Sequence, residues 1–182
     1  MTIPKKIYVF LVFNLLLQGA GCALADQKTD SGTPLVDPEK TIQISIPSGW
    51  KEDRDLHDTA ELQASNRKKE LYVIVLSESK EDFQDMTLDK HSEITRGTLV
   101  KSLTEPQTSA PTSLKVNGHS ALQYEIRGFI NNLSVVYLHT TVETEKHIHQ
   151  ILTWTLKSMY DKNKPILQKV TESFQEVKAT VQ

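Results

Sequence analysis

Apolar and polar residues alternate through much of the chain after residue 40, and this alternation predicts strands. Residues 41–46 place Ile42, Ile44 and Ile46 on one side, which is typical of a half-buried strand. Residues 71–76 are apolar on both sides and predict a central strand that is covered on two faces. Further segments with strand character are residues 60–65, 114–116, 121–127, 133–142 and 147–156.

Two segments show helical spacing instead. Residues 87–103 carry apolar residues along one side, and we expect Thr87 to cap the start of this helix. The second helix is expected to begin near Asn163, with Pro165 in its first turn, where the missing N–H costs little. The apolar side of the first helix comprises Leu88, Ile94 or Thr95, Leu99 and Leu103, and the buried stripe of the second comprises Ile166, Val170 and Phe174.

Turn residues divide these segments. Asn117–Gly118 predicts a tight hairpin turn, residues 128–132 predict another turn, and residues 105–112, which hold two prolines, predict a connection. About six to seven strands joined mostly by hairpins, together with two helices, predict a single α+β domain over residues 41–178. We expect an antiparallel β-sheet with helices on both faces, which is an α/β/α sandwich.

The first 25 residues are typical of an export signal. Lys5 and Lys6 precede an apolar run over residues 7–17, which is too short for a transmembrane helix of roughly 20 residues. Two cleavage sites compete. Ala23-Leu24-Ala25 would release a soluble periplasmic protein that begins at Asp26.

The alternative cleavage site is residues 17–22, which resemble a bacterial lipobox. Small residues lead to Cys22, the only cysteine of the chain, although Gly19 stands where an aliphatic residue is usual. The resemblance implies that residues 1–21 are a signal peptide and that acylated Cys22 becomes the first mature residue. We favour this second site, which predicts a protein lipid-anchored to a bacterial membrane outside the cytoplasm. Residues 26–40 are polar and contain two prolines, so we expect residues 22–40 to form a flexible tether that carries the lipid anchor.

Composition and charge exclude several classes of protein. Lys and Arg total 21 against 23 Asp and Glu, and the formal net charge of −2 argues against a nucleic-acid-binding protein. Removing Lys5 and Lys6 with the signal leaves 19 positive residues and a net charge of −4 (19 minus 23). One cysteine excludes a disulfide scaffold and a zinc site built from cysteines.

His147 and His149 are the candidates for a metal site. Their spacing puts both imidazoles on one face of a strand, and Glu145 precedes them by two residues. A bound metal normally has three or four protein ligands, so we expect a solvated strand face and neither a metal nor another cofactor. The sequence also lacks the G-x-S-x-G, phosphate-loop and H-E-x-x-H motifs, and we expect no enzymatic activity.

Three short motifs in order resemble the PsbP-like superfamily and the related DcrB-type lipoproteins. They are residues 44–50 (ISIPSGW), residues 116–121 (VNGHSA), and residues 160–167 (YDKNKPIL) followed by Ser173-Phe174. The resemblance spans residues 40–177 and implies an α/β/α sandwich on an antiparallel sheet. It implies no single activity, since photosynthetic members assist photosystem II and a eukaryotic branch binds a small GTPase.

These observations lead to two functional hypotheses. The first is an exported, lipid-anchored, non-enzymatic binding or assembly module of the PsbP-like type, with a protein partner of unknown identity. Its contacts would come from a sheet edge or from the loops at residues 53–59 and 128–132. The alternative is a periplasmic carrier of a small ligand or metal ion, which would use a cavity or the face of His147 and His149.

Overall fold

The computed structural model describes residues 32–39 and 41–177. Strands dominate this part of the chain, and two α-helices interrupt them. The strands are β1 (Thr33–Val36), β2 (Ile42–Ile46), β3 (Lys51–Glu52), β4 (Leu62–Asn66), β5 (Leu71–Ser79), β6 (Thr104–Thr108), β7 (Thr112–Val116), β8 (His119–Ile130), β9 (Leu133–Glu143), β10 (His147–Leu156) and β11 (Gln175–Glu176). The helices are α1 (Leu88–Lys101) and α2 (Tyr160–Glu172), and short 3-10 turns cover Arg67–Lys69, Lys80–Asp82 and Lys157–Met159.

Eight strands form one antiparallel sheet in the order β3-β4-β5-β10-β9-β8-β6, with β7 also paired to β8. Its centre is the long meander of β8, β9 and β10, and β5 pairs with β10 on the other side. The α+β fold predicted from the sequence is therefore confirmed. The sheet has more strands than expected because β3 and β6 are too short and too polar to be recognised from their pattern.

Both faces of this sheet are covered, as the two-sided apolar character of β5 predicts. Val73 and Val75 pack into a core beneath α2, while Tyr72 and Ile74 pack into a second core beneath α1. Trp50 belongs to the first core together with Val170 and Phe174, and Trp154 belongs to the second. The two helices therefore lie on opposite faces of the sheet.

A second, three-stranded sheet of order β1-β2-β11 lies on the same side as α2, since its isoleucines at positions 42, 44 and 46 join that core. Its first strand corrects the prediction of a tether through residue 40. Thr33–Val36 pairs antiparallel with β2, from Thr33 opposite Ile46 to Val36 opposite Gln43. This strand shows no amphipathic alternation in the sequence because three of its four residues are exposed.

Two segments that the sequence predicts to be a connection and a turn contain strand residues in the structure. Residues 105–112 include most of β6, an exposed edge strand. Its register with β8 is irregular between Thr104 and Gln107, and this irregularity accommodates Pro106. Residues 128–132 were expected to turn, but β8 continues to Ile130. The turn itself is Asn131–Asn132, with φ of 48° and 66°, the left-handed values that a two-residue hairpin requires.

The helices differ from prediction at their ends and on their buried sides. The Oγ1 of Thr87 accepts a hydrogen bond from the backbone N–H of Lys90, as the predicted cap requires. Of the alternatives on α1, Thr95 is buried and Ile94 is 49% exposed. The second helix begins at Tyr160, so Pro165 is its sixth residue and lies beyond the first turn.

Candidate functional site

The sequence-based candidates fall in two different parts of the chain. Cys22 and the whole export signal lie outside the described residues. His147 and His149 lie at the start of β10, beside the turn that joins it to β9. No helix among residues 32–39 and 41–177 is both long and apolar enough to cross a membrane.

The two histidines share one face of β10, as their spacing predicts, but this face is not solvated throughout. The side chain of His149 is 1% exposed, whereas that of His147 is 41% exposed. The ring of His149 lies against Phe174 with ring centroids 4.8 Å apart. The expectation of a solvated face is therefore wrong at His149, because the segment after α2 covers this side of the sheet.

The same segment brings Glu176 to the histidines. Its strand, β11, pairs with β2 so that Glu176 lies opposite Ile42. The hydroxyl of Ser173 accepts a hydrogen bond from the backbone N–H of Ser45 at 2.9 Å, and the N–H of Val177 donates to the carbonyl of Thr41 at 2.7 Å. These contacts on both sides of Glu176 fix the direction in which its carboxylate can point.

One carboxylate oxygen of Glu176 lies within hydrogen-bonding distance of the imidazoles of both His147 and His149. Its Oε1 lies 3.1 Å from Nδ1 of His147 and 3.1 Å from Nε2 of His149. The same oxygen accepts a hydrogen bond from the hydroxyl of Thr144 at 2.9 Å. On the far side of the buried ring, Nδ1 of His149 lies 2.9 Å from Oγ of Ser77. We call His147, His149 and Glu176 the His–His–Glu cluster.

Burial and hydrogen bonding set the charges in this cluster. Burial lowers the pKa of His149 to about 4, even though the neighbouring carboxylate of Glu176 opposes the shift. Burial by itself would raise the pKa of Glu176, but hydrogen bonds from Thr144, His149 and His147 outweigh it and leave that pKa below its ordinary value. At neutral pH the cluster therefore combines a carboxylate with a neutral, buried imidazole.

A cleft of about 610 Å³ opens beside the cluster, and His147 and Ser77 lie in its wall. The loop at residues 53–59 forms another wall, and Gln63 holds this loop by exchanging two hydrogen bonds with the backbone of His57, at 2.8 and 2.6 Å. Charged side chains in the lining are the carboxylates of Asp37, Glu39, Glu52, Asp58 and Glu61 and the guanidinium of Arg54. We call this space the acidic cleft.

Not all of these carboxylates are free to meet a ligand. The Oδ1 of Asp37 accepts hydrogen bonds from the N–H groups of Thr41 and Ile42, both at 2.7 Å, so Asp37 shapes the turn before β2. Glu52 and Arg54 form an exposed ion pair at 2.7 Å. Asp58 and Glu39 keep exposed side chains in the lining, and they set the charge that an incoming group would meet.

The chain Ser77–His149–Glu176 has the order of a hydrolase triad, in which a carboxylate orients an imidazole next to a hydroxyl. Its surroundings do not fit acyl transfer. The backbone N–H of Ser77 donates to the carboxylate of Glu61 at 3.0 Å, which puts negative charge where an oxyanion needs donors. The geometry suits binding of a cation better than stabilisation of an anion.

Sequence reasoning missed Glu176 and Ser77. Glu176 is 27 residues from His149 and belongs to a two-residue strand in the other sheet, so no local spacing connects it to the histidines. Ser77 lies opposite His149 in the pairing of β5 with β10. Only the predicted pairing of these two strands, with its register, could have placed Ser77 there.

Comparison with known proteins gives fold relatives and no sequence relatives. No family model matches the chain, and no curated protein matches it. Among solved structures, it is similar to LpqN of Mycobacterium tuberculosis, a protein involved in cell envelope biogenesis, with a TM-score of 0.59 and 14% identity. That match covers 83% of this chain and 93% of LpqN.

Two further structures come from distant organisms. Cyanobacterial PsbP (CyanoP) from Synechocystis superposes with a TM-score of 0.59 at 12% identity, covering 85% of this chain and 98% of CyanoP. The Ran-binding protein Mog1p of Saccharomyces cerevisiae gives 0.56 at 12% identity, covering 82% and 97%. Identities this low carry information about the fold alone. The chain has the PsbP-like fold, as the three sequence motifs imply.

Proposed function

We propose that this protein is an exported, lipid-anchored, non-enzymatic binding module that meets a basic protein segment through the acidic cleft. The observation that carries the proposal is the charge of the cleft, whose lining contains five carboxylates and one guanidinium. Such a surface attracts cationic groups and raises their rate of encounter. A volume of about 610 Å³ fits a few side chains of a partner.

The loop at residues 53–59 is the contact region that the structure favours among those expected from the sequence. It lines the cleft with Arg54, His57 and Asp58, and Gln63 fixes its backbone. The other expected loop, residues 128–132, is mostly strand and ends in a two-residue turn. A loop held in place in the free protein loses little conformational entropy on binding.

The proposed anchor at Cys22 would place the cleft away from the membrane. Ten residues lie between Cys22 and Thr33, and the chain from one to the other reaches at most about 40 Å. From Thr33, β1 leads to Asp37 in the cleft wall, a further rise of about 13 Å at roughly 3.3 Å per residue. The cleft therefore lies at the end of β1 that is remote from the anchor.

The absence of enzymatic activity is part of the proposal. The negative charge of Glu61 at the backbone N–H of Ser77 argues against nucleophilic catalysis by that serine. Proteins with this fold include ones with roles of this kind, since LpqN is involved in cell envelope biogenesis and Mog1p is a Ran-binding protein. We expect an active-site-directed fluorophosphonate to leave Ser77 unlabelled, and stoichiometric labelling would contradict the proposal.

Photo-crosslinking in the native host tests the binding surface. A crosslinking amino acid replaces Glu39 in the cleft, and a control replaces Ile94, which is exposed on α1 on the other side of the sheet. We expect one discrete protein adduct from position 39 and none of that size from position 94. Equal adducts from both positions would contradict a specific cleft.

A pair of charge reversals tests whether charge drives the contact. Asp58→Lys changes the cleft, whereas Asp161→Lys makes the same change on the exposed side of α2. We expect the first variant to reduce the adduct from position 39 at least several-fold and the second to leave it unchanged. If both variants crosslink like the unaltered protein, the acidic cleft does not select the partner.

A further inference from the structure

The His–His–Glu cluster brings together three side chains that are good metal ligands, with one potential ligand atom of each within 4.8 Å of the others. We propose that His147, His149 and Glu176 bind one divalent transition-metal ion of the zinc class at the rim of the acidic cleft. The proposal is independent of the protein partner and rests on the geometry of these side chains. It replaces the sequence-based expectation that the two histidines bind no metal.

The spacing of the donor atoms is close to what zinc needs. Bonds of about 2.0–2.1 Å in tetrahedral geometry put neighbouring ligand atoms about 3.3 Å apart. The Oε1 of Glu176 is 3.1 Å from the facing nitrogen of each imidazole, so two of the three ligand separations already have this size. Small side-chain rotations would complete the site, and His147 is free to make them because it is half exposed.

The outer partners of the ligands also fit a metal site. Metal-binding imidazoles usually donate their second N–H to a neighbouring group, which fixes the ring. Ser77 Oγ lies 2.9 Å from Nδ1 of His149, and a hydroxyl can accept or donate. His149 can therefore shift its proton to Nδ1 and present an unprotonated Nε2 to the ion. Thr144 likewise holds the carboxylate of Glu176.

The ligand set and its position indicate the type of site. Two imidazoles with one carboxylate favour zinc over calcium or magnesium, which prefer oxygen ligands. Three protein ligands leave at least one coordination position open, as in zinc sites that hold a water molecule or an exchangeable ligand. Because His147 lines the cleft, that position is accessible to a donor group of a molecule bound there.

Zinc titration of the purified full chain against a chromophoric indicator at pH 7.5 tests the site. We expect one ion per chain, with binding weakened at least roughly 100-fold by Glu176→Gln or His147→Gln. Glu145→Gln is the matched control, since it removes an exposed carboxylate from the neighbouring turn, and we expect it to bind like the unaltered chain. Ser77→Ala should weaken binding about 10- to 100-fold through the orientation of His149.

If a variant fails to fold, two spectroscopic measurements on the unaltered chain still test the metal site. Cobalt(II) should give the visible absorption bands of a four-coordinate ion, and imidazole nitrogen NMR should show zinc-induced shifts at two histidines only. Absence of stoichiometric binding tighter than micromolar would overturn the proposal. Undiminished binding in folded Glu176→Gln and His147→Gln variants would overturn it as well, and so would a bound ion that leaves the two imidazoles unperturbed.

Discussion

Phe174 connects the closing segment of the chain to both the core and the candidate site. Its ring is fully buried, packs in the core beneath α2 and lies against His149. We expect Phe174→Ala to lower the free energy of unfolding by about 3–5 kcal/mol, because it removes buried apolar area and leaves a cavity. Urea denaturation measures this loss.

The control for this substitution is Phe129→Ala, which truncates a phenylalanine that is 37% exposed on β8. We expect its effect to be well below that of Phe174→Ala, since less apolar area leaves water in the folded state. A loss below about 1 kcal/mol for Phe174→Ala would mean that the closing segment is not docked as described.

Buried His139 makes the free energy of unfolding depend on pH. Burial lowers its pKa to about 3, and the electrostatic effects of the neighbouring His91 and Arg96 side chains act in the same direction. The only side-chain hydrogen bond described for its ring is to Thr95 Oγ1 at 3.1 Å, and the ring of Tyr124 lies edge-on at 6.2 Å. An unfolded histidine gains a proton near pH 6.5, whereas the folded one stays neutral far below that pH.

The sign of the pH dependence follows from this difference. The stability due to neutral His139 is fully present above pH 6.5 and is lost as the pH falls from there toward 3, by up to about 1.4 kcal/mol per pH unit. We expect His139→Gln to reduce the slope of unfolding free energy against pH between 6.5 and 4. An unchanged slope, or an imidazole that NMR shows protonated at pH 5.5, would contradict this.

The candidate site could be predicted only in part from its residues. The i, i+2 spacing of His147 and His149 correctly places both on one face of a strand. It could not show that Phe174 covers that face, because the covering residue comes from after α2. Nor could it show Glu176 as the third member, since this contact depends on how β11 pairs with β2.

At the scale of elements, substitutions at two glycines distinguish the effect of backbone conformation on stability from the effect of packing. Gly97 lies within α1, and Gly118 lies in the β7–β8 turn with φ of +87°. An added Cβ would meet nothing within 4 Å at either position. We expect Gly97→Ala to stabilise the fold by about 1 kcal/mol through helix propensity, and Gly118→Ala to destabilise it by about 1–2 kcal/mol.

Thermal or urea unfolding of both variants checks this pair. Opposite signs are the essential result, because the substitution and the available space are the same. Destabilisation by Gly97→Ala comparable to that by Gly118→Ala would mean that α1 is not a regular helix at residue 97.

The sequence predicts best those elements that are amphipathic or strongly apolar. The alternation at Ile42, Ile44 and Ile46 and the Asn117–Gly118 turn both correspond to structure. The exposed strands β1 and β6 were missed because edge strands have no buried face to impose a pattern. Gly128 leads the sequence to predict a turn from residue 128, but Gly128 lies within β8 and the turn is at Asn131–Asn132.

At the scale of the whole molecule, two features of the sequence predict a layered α+β fold. One is the two-sided apolar character of β5, and the other is the presence of one predicted helix on either side of the last strands. The three-stranded sheet was not predictable, since it joins β1 and β11, which lie at opposite ends of the domain, through β2. That pairing decides what covers the His147–His149 face. The part of the fold that sequence patterns could not supply is therefore also the part that builds the candidate site.

The proposed attachment through Cys22 would determine where the protein works, and it can be measured directly. Intact-mass spectrometry of the protein from its native host, fractionated into membrane and soluble pools, gives both its first residue and its modification. We predict a membrane-bound chain that begins at Cys22 and carries acyl groups, since two or more chains anchor a protein stably where one does not. We expect Cys22→Ser to abolish the acyl mass. An unmodified, soluble chain beginning at Asp26 would contradict the anchor and leave only export.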